Sequence, residues 1–208
     1  MAFPPPRRAG GAALVTVLFV LIAVLIVAVS AATAALNAEK SARNERDRHI
    51  ALQAAEAALA DAERDIQALD PASPRAAMFA PGSVLGFADG CGKGANDPGL
   101  GLCGRVEAPR IPAWINAALT EDDAGANGAV AYGTFTGAAM PTGVGTLPAR
   151  PPRYIIELMP FPRAGEDAAQ PAANFYRVTA IGFGSRPATK VVLQSFYRKS
   201  VPAEGAAR

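Results

Sequence analysis

The sequence predicts an α+β chain in which one long N-terminal helix packs on an antiparallel β-sheet. Three observations point to it. No charge interrupts the residues between Arg8 and Glu39. Neither Pro nor Gly occurs from Ala12 to Asp70. Beyond Gly128 come four runs rich in β-branched and aromatic residues, each bounded by Gly, Pro or Asn. One long helix followed by a set of strands is the α+β pattern. The 208 residues suit a single domain with an appended segment.

The helix begins with an apolar run over 12–36, broken only by Thr16, Ser30, Thr33 and small alanines. About 20 apolar residues in a helix cross a bilayer, and this run exceeds that. A cleavable secretory signal has an apolar core of roughly 7–15 residues. Here the core is longer, and "SAATAAL" flows directly into a helical pattern, so the segment is expected to stay. The Arg7–Arg8 pair invites a twin-arginine reading, which so apolar a core argues against. Arg7 and Arg8 favour a cytoplasmic N-terminus. Lys40, Arg43, Arg46 and Arg48 flank the other end, offset in part by Glu39, Glu45 and Asp47.

Residues 37–70 continue the helix as an amphipathic half. Leu52, Ala55, Leu59, Ala62, Ile66 and Leu69 recur at alternating spacings of three and four, which makes one packing stripe. Glu56, Asp61, Glu63, Arg64 and Asp65 are expected around the other sides. Abundant alanine agrees with a helix, and Pro71 disfavours its continuation at Asp70. An unbroken helix from Ala12 to Leu69 would be on the order of 85 Å long. The alternative is an anchor followed by a coiled-coil stalk; alanine at half the stripe positions favours packing on a sheet.

Residues 71–208 form the expected sheet domain. The stretch from Pro71 to about Gly128 is rich in loops, with a short apolar piece, "IPAWINAAL", around Trp114. Strands are predicted in "AVAYGTFTG", "RYIIELMP", "NFYRVTAIGFG" and "TKVVLQSFYRK". The last two are joined by "SRPA", a hairpin turn in which Pro187 is tolerated. Cys91 and Cys103 bracket "CGKGANDPGLGLC". In a chain that carries a membrane-targeting segment, such a pair reads as a disulfide formed after export.

The residues that chemistry needs are sparse. One histidine, His49, falls on a charged helix face, and no metal-ligand cluster accompanies it. There is no Gly-x-Ser-x-Gly, no phosphate loop and no dinucleotide fingerprint. The segments "ANDPG" and "TEDDAGANG" share composition with calcium loops without EF-hand spacing. A net charge of +2, with basic residues scattered among acids, predicts no nucleic-acid partner. Neither an enzyme nor a cofactor is expected, and no metal.

The arrangement resembles the type IV pilins, and more narrowly the PilX-type minor pilins. The stretches that carry the resemblance are "GAALV" after a basic leader and "EK.A.N.RDR" over 39–48. "LQAAEAALADAE" over 52–63 is the strongest. "GLC" with the downstream Trp114, "RYIIE", and "YRVTA.G.G" running into "VVLQS.Y" extend it through the C-terminal half. The resemblance implies a leader over 1–11, cut by a prepilin peptidase between Gly11 and Ala12, with Gly10 and Gly11 as the alternative site. It also implies N-methylation of Ala12. Most pilins carry glutamate at the fifth mature position, paired with a neighbour's N-terminal amine. Thr16 stands there, or Val15 under the other cut, and neither is a counter-ion.

These features lead to the expectation of a non-catalytic minor pilin at or near the pilus tip that helps initiate the fibre. Its expected partners are other minor pilins, the major pilin and the prepilin peptidase, with a tip adhesin as a further candidate. Before assembly it would span the bacterial inner membrane once, with its C-terminal domain in the periplasm. The alternatives are a type II secretion tip pseudopilin, or a single-pass periplasmic sensor or adhesin with an uncleaved anchor.

Overall fold

The computed structural model describes residues 11–68, 72–107, 109–116, 119–120, 128–160 and 174–199. The chain divides into two compact units, Met1–Arg46 and Asp47–Arg208. Helix α1, Ala12–Gln67, is the main element of the first and contributes its last turns to the second. Leu69, the last residue of the predicted stripe, lies outside the described residues. The helix ends at Ala68, which adopts a left-handed φ of 40° and donates its N–H to the Arg64 and Asp65 carbonyls. That turn satisfies carbonyls that would otherwise be left open at a C-terminus.

In the first unit every described residue is exposed. The helix there is long and apolar enough to cross a membrane. The three hydroxyls of its apolar run over 12–36 are bonded within the helix: Thr16 to Ala12 and Ala13, Ser30 to Ile26, and Thr33 to Ser30. With these hydroxyls satisfied internally, the run over 12–36 carries none of them unmet into an apolar surrounding.

The second unit holds five strands: β1 Leu102–Cys103, β2 Val130–Ala131, β3 Arg153–Pro160, β4 Asn174–Phe183 and β5 Lys190–Tyr197. A four-residue helix, α2, covers Ala113–Asn116. The sheet runs β1-β3-β4-β5, and β2 also pairs β3. The three long strands are antiparallel, as expected, with Tyr154 opposite Ala180 and Ala180 opposite Leu193. The sheet as a whole is mixed, because β1 lies parallel to β3. "SRPA" makes the turn between β4 and β5, closed by Gly184 N donating to the Thr189 carbonyl at 2.8 Å.

Of the predicted strand "AVAYGTFTG", only Val130 and Ala131 are extended. Gly133 takes a φ of 78°, and a Cβ there would lie 1.8 Å from the Ala138 carbonyl oxygen. The chain must turn at this glycine, so the β-branched residues after it cannot continue the ladder.

Side chains on one sheet face pack on α1. Ala58, Ala62 and Ile66 meet Tyr154, Ile156, Tyr176, Val178 and Ala180 there. The opposite face is covered in part by the disulfide loop and α2: Cys91, Cys103, Ala113 and Leu119 pack on Ile155, Ile181 and Phe183.

The helix face that packs is rotated from the predicted one. Ala51, Ala54, Ala55, Ala58, Ala62 and Ile66 are buried, whereas Leu52 and Leu59 are only half-buried at its margin. The reason is the close approach of backbones. A Cβ on Gly182 would lie 2.1 Å from the Ala51 carbonyl oxygen and 2.4 Å from the Ala55 nitrogen. Only alanine fits along that line, and the leucines are displaced to the flanks.

Candidate assembly helix and its polar ties

Two parts of the chain are candidates for function: the exposed apolar half of α1, and the polar contacts that fix the other half to the sheet. At the start of the first, Gly11 has a φ of 109° with nothing within 4 Å of the Cβ position. The helix begins at Ala12. Gly10 and the residues before it, Arg7 and Arg8 among them, lie outside the described residues. Thr16 sits in the second turn, its Oγ1 2.9 Å from the Ala13 carbonyl and 3.2 Å from that of Ala12. It is therefore a satisfied neutral group. Along this half the large side chains stand open, with Leu14 79% and Phe19 69% exposed. Apolar exposure on that scale marks a surface made to be covered, by lipid or by other helices.

The second half is held by three carboxylates. Asp47 accepts from Ser185 N at 2.6 Å, Ser185 Oγ at 2.7 Å, Arg186 Nε at 3.0 Å and the Thr189 hydroxyl. One side chain thus ties the helix to the β4–β5 hairpin. Burial pushes its carboxyl upward, but these hydrogen bonds outweigh burial and hold it well below the usual carboxylate range. Asp61, fully buried, accepts from Gly133 N at 2.7 Å and from the Thr136 hydroxyl, and so fixes the turn after β2.

Asp65 accepts from the Tyr154 hydroxyl at 3.0 Å and forms an ion pair with Arg75 at 3.0 Å. Burial drives its carboxyl up to about 6, against the pull of Arg75 and of the Tyr154 bond. Tyr154 is pushed well above its ordinary value by burial and by the neighbouring Asp65 charge. Arg75 also donates to the Leu100 carbonyl at 2.9 Å and lies 3.9 Å from the Phe135 ring centre. Burial of such a charge demands this set of partners.

Asp61 and Asp65 are thus corrections to the sequence reading, which set them on the outer sides of the helix. The signal was present in another register. Asp47, Ala51, Ala54, Ala58, Asp61 and Asp65 recur at spacings of four, three, four, three and four, which is one face. Arg75 carries no such signal, since it falls in a stretch without periodicity.

Cys91 and Cys103 form a disulfide, which ties the loop to the edge of β3 through β1. Trp114 lies on α2 and is 39% exposed. His49 is exposed on α1. Among the described residues no group of three or more His, Cys, Asp or Glu is placed to hold a metal ion. Among the described residues, then, the carboxylates serve to dock the helix, and the feature offered outward is the apolar helix itself.

Two family models match the chain. The one described as PilX N-terminal covers residues 9–60, and the one described as type IV pilus assembly protein PilX C-term covers residues 82–199. No curated protein and no solved structure matches it.

Proposed function

The chain belongs to the PilX family of type IV pilus assembly proteins, and from that premise we propose that it is a minor pilin which helps initiate the fibre and sits at or near its tip. The family is one of structural assembly components, and the apolar helix provides a single-pass membrane anchor. The observation that carries the tip placement is Thr16. A pilin inside the fibre pairs a glutamate at that position with the N-terminal amine of a neighbour. A charge in an apolar helix bundle is costly unless paired, so that pairing sets the docking register. Thr16 offers no charge, and its hydroxyl is already bonded to its own helix. A subunit with nothing above it has no amine to neutralise, which is the situation of the tip.

On this reading a prepilin peptidase cuts after Gly11 and methylates Ala12. The helix waits in the inner membrane with the sheet domain in the periplasm, and then leaves lipid for a bundle of like helices. Other minor pilins and the major pilin are its partners, with a tip adhesin as a further one. Intact mass of the membrane-extracted protein tests the processing: loss of Met1–Gly11 plus one methyl group supports it, and a retained N-terminus supports an uncleaved anchor. A clean deletion tests the role. Fewer surface pili, with co-purification of other minor pilins, are expected; normal piliation without such association would overturn it.

A further inference from the structure

The two edges of the sheet differ. On one side β3 carries β1 and β2; on the other, β5 pairs only with β4 among the described residues. Gly184 and Thr189 are hydrogen-bonded where the hairpin closes. Bonded and non-bonded pairs alternate along an antiparallel ladder. From that start the register turns Val191, Leu193, Ser195 and Tyr197 towards β4. Lys190, Val192, Gln194 and Phe196 therefore aim their backbone N–H and C=O groups at the open edge.

The same four residues place their side chains on the face away from α1, and all four are exposed. Val192 and Phe196, both apolar, are 54% and 59% exposed. Folded proteins usually protect an edge with a charge, a proline, a bulge or a covering element. The eight residues of β5 contain no proline or glycine and carry one charge, at Lys190. Along the hairpin itself the charged residues are basic, and of these Arg186 is already paired with Asp47 of the helix. Residues 184–199 include Arg186, Lys190, Arg198 and Lys199 and no acidic residue.

We propose that the open edge of β5 accepts an extended strand from another protein, acidic at its ends and apolar at alternate positions. Main-chain bonds to the open edge provide affinity, and side chains alongside Val192 and Phe196 provide register. Acidic groups at the ends meet Lys190 and Arg198. A second copy of this chain is a poor occupant, because antiparallel pairing of two β5 strands would bring one copy's Lys190 towards the other's Arg198. The proposal is independent of the tip placement, since it concerns the sheet domain wherever the subunit sits.

The test uses the intact chain in detergent micelles and an eight-residue peptide, matched to β5, that alternates threonine and valine and carries glutamate at each end. Saturating peptide is expected to slow hydrogen exchange at the amides of Val192, Gln194 and Phe196 by about tenfold or more, leaving those of Val191 and Leu193 unchanged. Val192→Pro removes an outward N–H without taking a bond from β4, and is expected to weaken the peptide by about tenfold, or 1.4 kcal/mol. The pair Lys190→Glu and Arg198→Glu leaves the backbone intact and carries the test should the proline variant not fold. It is expected to lose the acidic peptide and to bind one with lysine at each end. Unchanged exchange at the three amides, or equal binding of both peptides by the charge variant, would overturn the proposal. So would protection of those amides in a peptide-free dimer, which would assign the edge to a second copy.

Discussion

Arg75 Nε stands 3.0 Å from Asp65 Oδ1, and the two side chains are 0% and 2% exposed. The pair joins the chain just after α1 back to the helix that precedes it, beneath the Tyr154 hydroxyl. Burying two charges costs several kcal/mol per ion, offset by their attraction and by the bonds each makes with other groups. The interaction is asymmetric in consequence. Losing one partner strands the other charge, whereas losing both strands none.

Arg75→Ala is therefore expected to lower stability by about 3–5 kcal/mol. The double variant Asp65→Leu, Arg75→Met should lose less than Arg75→Ala alone. Urea unfolding of the intact chain in detergent, followed by fluorescence of its one tryptophan, Trp114, measures both. Equal losses in the single and double variants would mean that the ion pair is not what holds this corner.

Of the buried carboxylates, Asp47 and Asp65 are shifted in opposite senses. Asp65 is raised from 3.8 to about 6 in the folded chain. The folded state therefore binds that proton before the unfolded chain does, so its contribution to stability grows as pH falls from about 6 to about 4. Asp47 is depressed, so its contribution is present above about pH 4 and is lost as pH falls through its folded value. Asp65→Asn should flatten the stability profile between pH 4 and 6, and Asp47→Asn should reduce the loss below pH 4. Unfolding midpoints across that range check both signs.

Removing the Asp47 carboxylate has a separate, local effect. Asp47→Ala leaves Ser185 N and the Thr189 hydroxyl without their acceptor at the hairpin. A buried donor left unmet costs about 1–3 kcal/mol. Exchange at the Ser185 amide should quicken more than exchange at the centre of β4. Uniform quickening would argue for global loss of stability instead.

Gly182→Ala places a methyl group against helix backbone, which cannot move aside as a side-chain tip can. An overpacked core typically loses about 1–3 kcal/mol, and this substitution is expected at or above the upper end. Gly137→Ala is the contrast: it meets nothing within 4 Å, and its left-handed φ of 70° costs only about 1–2 kcal/mol. Melting temperatures of the two variants should rank in that order.

Replacing Cys91 and Cys103 by serine opens a loop with a sequence separation of 12. The expected cost is about 3 kcal/mol in the chain-entropy model. Both residues also lie in the cluster covering Ile155, Ile181 and Phe183. The thermal midpoint should drop, and reduction of the native chain should reproduce the drop without mutation.

Much of the architecture was legible because it rests on local composition. An apolar run longer than a bilayer needs, a stretch without Pro or Gly, and strands bounded by turn residues each report themselves residue by residue. The strand predicted through Gly133 failed because one left-handed glycine outweighed the β-branched residues around it.

The sequence by itself determined that the chain has a long helix followed by a sheet, that the helix opens with an uncharged run longer than a bilayer needs, and that two cysteines bracket one loop. Tertiary structure decided which side of the helix faces inward. Periodicity weighs leucine above alanine and counts aspartate as outward, so it chose the stripe through Leu52 and Leu59. The sheet reversed that choice because Gly182 lets β4 approach until only alanine fits between the backbones. Asp47, Asp61 and Asp65 could then go inside, because their partners, Ser185 and Thr189, Gly133 and Thr136, and Arg75 and Tyr154, arrive from distant parts of the chain. A carboxylate is buried or solvated according to the donors that reach it, and those donors are set by the fold.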